Sequence, residues 1–369
     1  MKIIVISAVN LVEAGTLAIL KDCLAYLSEL AKNGNYRVIA IVYDKDLAFY
    51  PNIEYIETTW PKQRWINRLW FEYVSMKKIS KNLAPVYLWL SLHDTSPTVN
   101  AEKRAVYCHN SFSFYKWKLA DLLFAPKIAL FAIFTKYIYK TNIHKNDYVI
   151  VQQNWFRNAM SSIFKINPSK IIVSPPTTRD FQSLERVNAL SQKVSFIFAG
   201  SPNSHKNFEI ICRAVALLND QYKLKNFEVF ITVKGHENKY AKWLFKNWGT
   251  KYDALNFIGF IDKLTLENYY STAHCLIFPS KVETWGLPIS EFAAFKKPML
   301  LADLPYTHET ASGASQVAYF NPEKPEELAQ MMKRIIEGDT TFLEAIPLTT
   351  INQPLANTWE ELFNKLLQD

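Results

Sequence analysis

Residues 276–291 read Leu-Ile-Phe-Pro-Ser-Lys-Val-Glu-Thr-Trp-Gly-Leu-Pro-Ile-Ser-Glu. The apolar run at 276–278 fits a buried strand. Gly286 permits a tight backbone approach, and Pro288 suits a first helical turn, where no amide donor is needed. The stretch therefore predicts strand, loop and helix, with Glu283 in the loop and Glu291 one turn into the helix. Such a loop lies outside the carboxyl end of a parallel sheet, where α/β proteins place ligands. A carboxylate accepts paired sugar hydroxyls, and free helix-start amides favour a phosphate. A helix N-terminus also attracts acidic residues with nothing bound. The residues alone leave both readings open.

Working outward, the same alternation repeats along the chain. In the second half, strands read at 194–198, 227–233, 254–258, 298–301 and 316–320, with helices at 207–218, 262–272, 288–296 and 325–337. In the first half, strands read at 2–6, 36–43, 53–56, 86–91, 104–108, 147–151 and 169–173, with helices at 16–32 and 153–164 and one expected at 65–82. Short apolar strands alternating with helices imply parallel sheets covered on both faces. Two successive α/β units result, an N-terminal one over 1–175 and a C-terminal one over 193–340. Pro175, Pro176, Thr177, Thr178 and Arg179 break the periodic pattern between them. A tail over 341–369 ends in a helix at 355–367 whose stripe includes Leu355, Trp359, Leu362, Phe363 and Leu366. That stripe returns to the first unit or stays on the second, and the sequence does not choose.

Composition narrows the class. The 369 residues are 49% hydrophobic and 21% charged, with 17 prolines and nine glycines, which excludes a disordered or collagen-like chain. Cys23, Cys108, Cys212 and Cys275 are too scattered for a disulfide scaffold or a zinc set, and the seven histidines lack metal-ligand spacing. Asp44-x-Asp46 reads as solvated charge. The opening Met-Lys-Ile-Ile-Val-Ile-Ser reads as a first strand rather than a signal peptide. Pro126, Lys127 and Lys136 interrupt the most membrane-like stretch, 119–139, and argue against a span. A cytoplasmic location is expected.

The charge is uneven. Residues 1–180 hold 23 Lys+Arg against 13 Asp+Glu, and the remainder 19 against 21, so the basic excess belongs to the first half. Trp60, Trp65, Trp70, Trp89, Trp117 and Trp155 accompany it. Cations interleaved with aromatics suit an anionic membrane interface at the inner face of the plasma membrane. They suit nucleic acid less well, because no zinc finger, RNP motif or basic helix accompanies them. A plain solvated surface gives the same composition.

Glu283 and Glu291, with Gly-Leu-Pro between them and Phe292-Ala293-Ala294 following, resemble the donor-site motif of the retaining glycosyltransferases of family 4. The likeness covers much of 194–336 and, more faintly, 1–175. It implies the GT-B fold, two Rossmann-like domains facing across a cleft, with a nucleotide-sugar donor held by the second domain and the acceptor by the first. On that likeness Glu291 holds the ribose and Glu283 contacts the transferred sugar or phosphate, with Gly286 and Leu287 beside them. Lys206, in Gly200-Ser201-Pro202-Asn203-Ser204-His205-Lys206, occupies the place of the family's phosphate-binding lysine. The family's arginine a few residues earlier is replaced here by the segment holding Ser201, and His205 compensates in part or another cation serves. Gly15 stands where the family has a glycine-rich loop. His109, ending a strand, stands where the family has a histidine beside the reacting sugar; His93-Asp94 competes for that place. Gly235 and Phe260 border the nucleotide.

The resemblance thus implies retaining transfer of a sugar from a nucleotide-sugar to a hydroxyl of a glycan or lipid-linked acceptor, in surface polysaccharide biosynthesis. Lys206, Glu283 and His109 are the candidate catalytic residues, and no metal or cofactor beyond the donor is implied. Rival readings are an epimerase or glycoside phosphorylase of the same fold, or a non-catalytic nucleotide-sugar-binding protein. A nicotinamide dehydrogenase fits less well, because no Gly-x-Gly-x-x-Gly follows the first strand.

Overall fold

The computed structural model describes residues 1–12, 14–115, 124, 126–176 and 193–368. Thr177, Thr178 and Arg179 of the expected joint, Trp117, and 119–123 of the apolar stretch lie outside the described residues. The described strands form two wholly parallel sheets. The first holds β1 (Lys2–Ser7), β2 (Tyr36–Val42), β3 (Ile53–Glu57), β4 (Leu88–Ser91), β5 (Lys103–Tyr107), β6 (Tyr148–Val151) and β7 (Ile171–Val173). The second holds β8 (Val194–Phe198), β9 (Phe227–Ile231), β10 (Leu255–Phe257), β11 (Cys275–Phe278), β12 (Met299–Ala302) and β13 (Val317–Phe320).

Their orders are β3-β2-β1-β4-β5-β6-β7 and β10-β9-β8-β11-β12-β13. In each sheet the chain builds outward on one side, then crosses back to build on the other. A crevice therefore opens at the carboxyl ends between β1 and β4, and again between β8 and β11. β8 and β11 are direct neighbours, with Leu276 opposite Ile197. Every residue of β4, β11 and β12 is buried, as strands covered on both faces require.

The chain divides into two compact units, Met1–Ser113 with Phe134–Thr177 and Ile351–Asp369, and Phe114–Ile133 with Thr178–Thr350. The terminal helix is thereby placed. Leu362, Phe363 and Leu366 are fully buried in the same core cluster as Ile4, Ile6, Leu24 and Leu27. This helix begins at Trp359, four residues later than its apolar stripe suggests. The Thr358 hydroxyl caps it by accepting from Glu361 N at 3.1 Å, while Leu355 lies in a parallel bridge beside Val173. The buried Arg157 also holds this segment, donating to Asn352 O at 2.8 Å.

Two further elements depart from the periodic reading. The expected helix over 65–82 is interrupted: helix Trp65–Trp70 runs into a π-helical turn, Phe71–Ser75, before helix Met76–Leu83 resumes. Glu72, within that turn, is buried. The first helix begins at Ala14, which puts Gly15 in its first turn rather than in a loop. Among the described residues, no helix is long and apolar enough to cross a membrane.

Candidate functional site

The segment after β8 closes into a 3-10 turn, Ser204–Lys206, and then Asn207 adopts the left-handed conformation with φ 60°. Asn207 tolerates that geometry and uses its amide as a clamp, with Nδ2 donating to Pro279 O at 3.2 Å and Pro322 O at 2.8 Å. Lys281 N donates to His205 O at 2.8 Å. These bonds tie the segment after β8 to the segment after β11. The side chains they carry meet: Lys206 Nζ lies 2.5 Å from Glu283 Oε1, each side chain less than one-fifth exposed.

A second lysine stands beside the first. Lys281 Nζ lies 3.1 Å from Glu209 Oε1, and Glu209 also accepts from the Tyr240 hydroxyl. The buried His205 imidazole is held well below its usual range by desolvation and by Lys206 and Lys281, so it stays neutral at pH 7. The carboxyl ends of β8 and β11 therefore present two lysines, each balanced by a carboxylate that an incoming phosphate can replace as partner. Lys281 escaped the sequence reading, although a cation two residues before Glu283 was the available signal.

Gly286, with φ +89°, begins helix Leu287–Ala293; a Cβ there would come within 3.3 Å of Ile289. Glu291 lies in the second turn of that helix. Burial pushes its carboxyl above the usual range and Glu267 adds to the rise, against the opposing Lys263. Gly235, at φ +102°, lets Phe245 pack where a Cβ would sit 2.5 Å away. Phe260 is 92% exposed, Leu287 is exposed at the helix start, and Ser201 Oγ accepts from Asn203 Nδ2 at 2.9 Å. The structure thus joins Lys206, His205 and Glu283. Among the described residues, no hydrogen bond or ion pair connects Ser201, Gly235, Phe260, Leu287 or Glu291 to Lys206 or Glu283.

In the first unit, His109 follows β5 and is half-buried. Its backbone amide donates to Asp94 Oδ1 at 2.5 Å, and its ring centroid lies 4.2 Å from that of Tyr107. Burial lowers the His109 imidazole, although Asp94 pulls the other way. Asp94 also accepts from the Tyr139 hydroxyl at 2.9 Å, so it shapes the turn that presents His109. His93 is buried 2.8 Å from Glu72. Burial opposes ionisation of Glu72, but His93 and Arg68 outweigh it and hold the carboxyl below its usual range. Arg68 donates to His93 O at 3.0 Å. The structure therefore ties His93 into an internal network, and both ring nitrogens of His109 are buried as well. Glu72 and Arg68 stand four residues apart, the spacing of neighbours on a helix face, but nothing local to either reports His93 as their partner.

Residues 180–345 match the family described as Glycosyl transferases group 1. The chain carries a glycosyltransferase group 1 domain. It is 22% identical over 209 residues, 55% of each chain, to the O-antigen chain mannosyltransferase RfbU of Salmonella typhimurium. The chain spans about half the length of the curated relatives it matches. Its two parallel-sheet units have the GT-B fold. Sucrose-phosphate synthase from Thermosynechococcus elongatus superposes with a TM-score of 0.66 at 14% identity, over 94% of this chain and 92% of that one. HepE of Anabaena, in complex with UDP, gives 0.61 at 13% identity, over 91% and 90%. The group 1 domain includes both Lys–Glu pairs. Among the described residues, no three His, Cys, Asp or Glu side chains gather as a metal site.

Proposed function

We propose that the chain is a retaining glycosyltransferase that moves a sugar from a nucleotide-sugar to a hydroxyl of a glycan or lipid-linked acceptor in surface polysaccharide assembly. One observation carries the reading: Lys206 and Glu283 meet at the β8–β11 switch point inside a group 1 domain. In the reaction the acceptor oxygen bonds to the anomeric carbon as the bond from that carbon to the diphosphate breaks. The departing diphosphate takes the acceptor's proton. Negative charge grows on the diphosphate, and a lysine already in place stabilises it without reorganisation. Lys281 supplies the second cation that the Ser201 segment lacks. Glu283 orients the transferred sugar, Glu291 accepts from the ribose, and His109 attends the acceptor hydroxyl.

The O-antigen role in the name of RfbU supports the polysaccharide setting. A peripheral contact with anionic membrane accompanies it: Trp65, Ile66 and Trp70 are exposed on one short helix beside Lys62, Arg64 and Arg68. Mass-detected binding against a panel of nucleotide-sugars tests the donor, with a nucleoside diphosphate sugar expected to bind. Failure of every nucleotide to bind would overturn the reading. The anomeric coupling constant of the product tests retention, and an inverted product would overturn it.

A further inference from the structure

We propose that the first unit has a lipid-phosphate pocket, where the end of helix Pro126–Lys140 and the end of helix Asn154–Phe164 bind the headgroup of an anionic phospholipid. A cavity of about 420 Å³ opens there, lined by Lys136, Lys140, His144 and Lys165 together with Tyr137 and Ile163. Among the described residues, no carboxylate lines it. The three lysines are exposed, and none is ion-paired among the described residues. An uncompensated cluster of cations in a concavity repels itself and is relieved by an anion.

The rim selects the kind of anion. Tyr137 and Ile163 are each at least half exposed beside these cations. Apolar and aromatic side chains next to ammonium groups match the boundary between lipid headgroups and acyl chains, where the stems of long basic side chains also settle. A free phosphate would use the cations and leave that apolar rim in water. Lys165 is held into the pocket mouth by the backbone, since it ends its helix at φ 55° in the left-handed region.

The location separates this pocket from the proposed chemistry. Residues 141–147 lead from one helix into β6, and 165–170 lead from the other into β7, so the pocket lies at the amino ends of those strands. His109 and the acceptor side lie at the carboxyl ends. The pocket also lies apart in sequence from the tryptophan-bearing helix, Trp65–Trp70, and does not depend on it.

Vesicle flotation of the full chain, using phosphatidylcholine with and without phosphatidylglycerol, tests the proposal. Wild type should float with the anionic vesicles. Lys140→Glu/Lys165→Glu should lower its partition about tenfold or more, and the milder Lys140→Gln/Lys165→Gln should lower it less, since each lysine contributes separately. Trp65→Ala/Trp70→Ala should keep the lysine-dependent share. Equal partition of the lysine variants and wild type would overturn the pocket. Amide shifts at 136–140 and 163–165 identify the source. A response to phosphatidylglycerol bicelles but not to glycerol phosphate supports a lipid site, whereas an equal response to glycerol phosphate overturns it.

Discussion

Lys206 Nζ and Glu283 Oε1 lie 2.5 Å apart across 77 residues of sequence, because the crossover after β10 brings the chain back to β11, the strand beside β8. The pair is a resting partnership that a diphosphate can replace, since phosphate oxygens offer Lys206 the same charge-assisted bond. Lys206→Met should therefore lower kcat/KM by about 10- to 150-fold, the equivalent of a charged hydrogen bond of about 1.5–3 kcal/mol. Lys281→Met should weaken nucleoside diphosphate more than nucleoside monophosphate. Calorimetric titration of both nucleotides against both variants checks this. An equal loss for the two nucleotides would assign Lys281 to folding alone.

Glu291 gives a prediction in which binding and stability move oppositely. Burial raises its carboxyl above the unfolded value, so the folded state holds the proton more tightly. Stability from this group is greatest below the unfolded value and falls as pH rises through the folded one. Glu291→Gln should therefore stabilise the protein at pH 7, and the gain should vanish near pH 4. The same variant should weaken nucleotide binding by about 1.5–3 kcal/mol, because a charged acceptor for the ribose is lost. Urea unfolding at the two pH values, with calorimetry on nucleotide, separates these effects.

His109→Ala should cut transfer while sparing donor affinity, since His109 belongs to the first unit. Burial lowers the His109 imidazole, so its protonation belongs below the usual value of about 6.5. The rate should accordingly show no histidine limb at or above that pH. A limb there that disappears in the variant would contradict a neutral, hydrogen-bonding His109.

The terminal helix is expected to stabilise the first unit. Phe363 is fully buried, and its ring stacks on Tyr26 at 5.4 Å between centroids. Phe363→Ala should cost about 3–5 kcal/mol, the usual range for a buried phenylalanine. Urea unfolding monitored by a first-unit tryptophan checks it, and a loss below about 1 kcal/mol would show that the site collapses around the truncation.

The parallel alternation, the doubling of the α/β unit and the loop carrying Glu283 were legible because each depends on local periodicity and on Gly286 and Pro288. The partnership of Lys281 with Glu209 was not, since nothing local to either residue reports the neighbour of β8. The address of the Leu362–Phe363–Leu366 stripe was hidden for the same reason: an amphipathic helix specifies that it must be covered, not by what. Glu72 lies four residues before the buried Met76, on the face a helical period turns inward, yet nothing local to it reports that His93 stands opposite.

The tryptophan-bearing helix carries the last prediction. Trp65 and Trp70 are 53% and 60% exposed, Ile66 is 67% exposed, and the Arg68 guanidinium lies 6.0 Å from the Trp65 ring centroid. Two exposed indoles on a helix of six residues fill no core and suit the headgroup level of a bilayer. Fully burying a large apolar side chain is worth about 1.5–3 kcal/mol, so even partial insertion of both rings should move the partition about tenfold or more. Trp65→Ala/Trp70→Ala should lower recovery on vesicles at high salt, where screening leaves insertion as the main attraction. Arg64→Gln/Lys62→Gln should act mainly at low salt. Tryptophan fluorescence reports insertion directly, through a blue shift on anionic vesicles that the double alanine variant loses. An unshifted spectrum with wild-type recovery would assign the exposed indoles to some other contact.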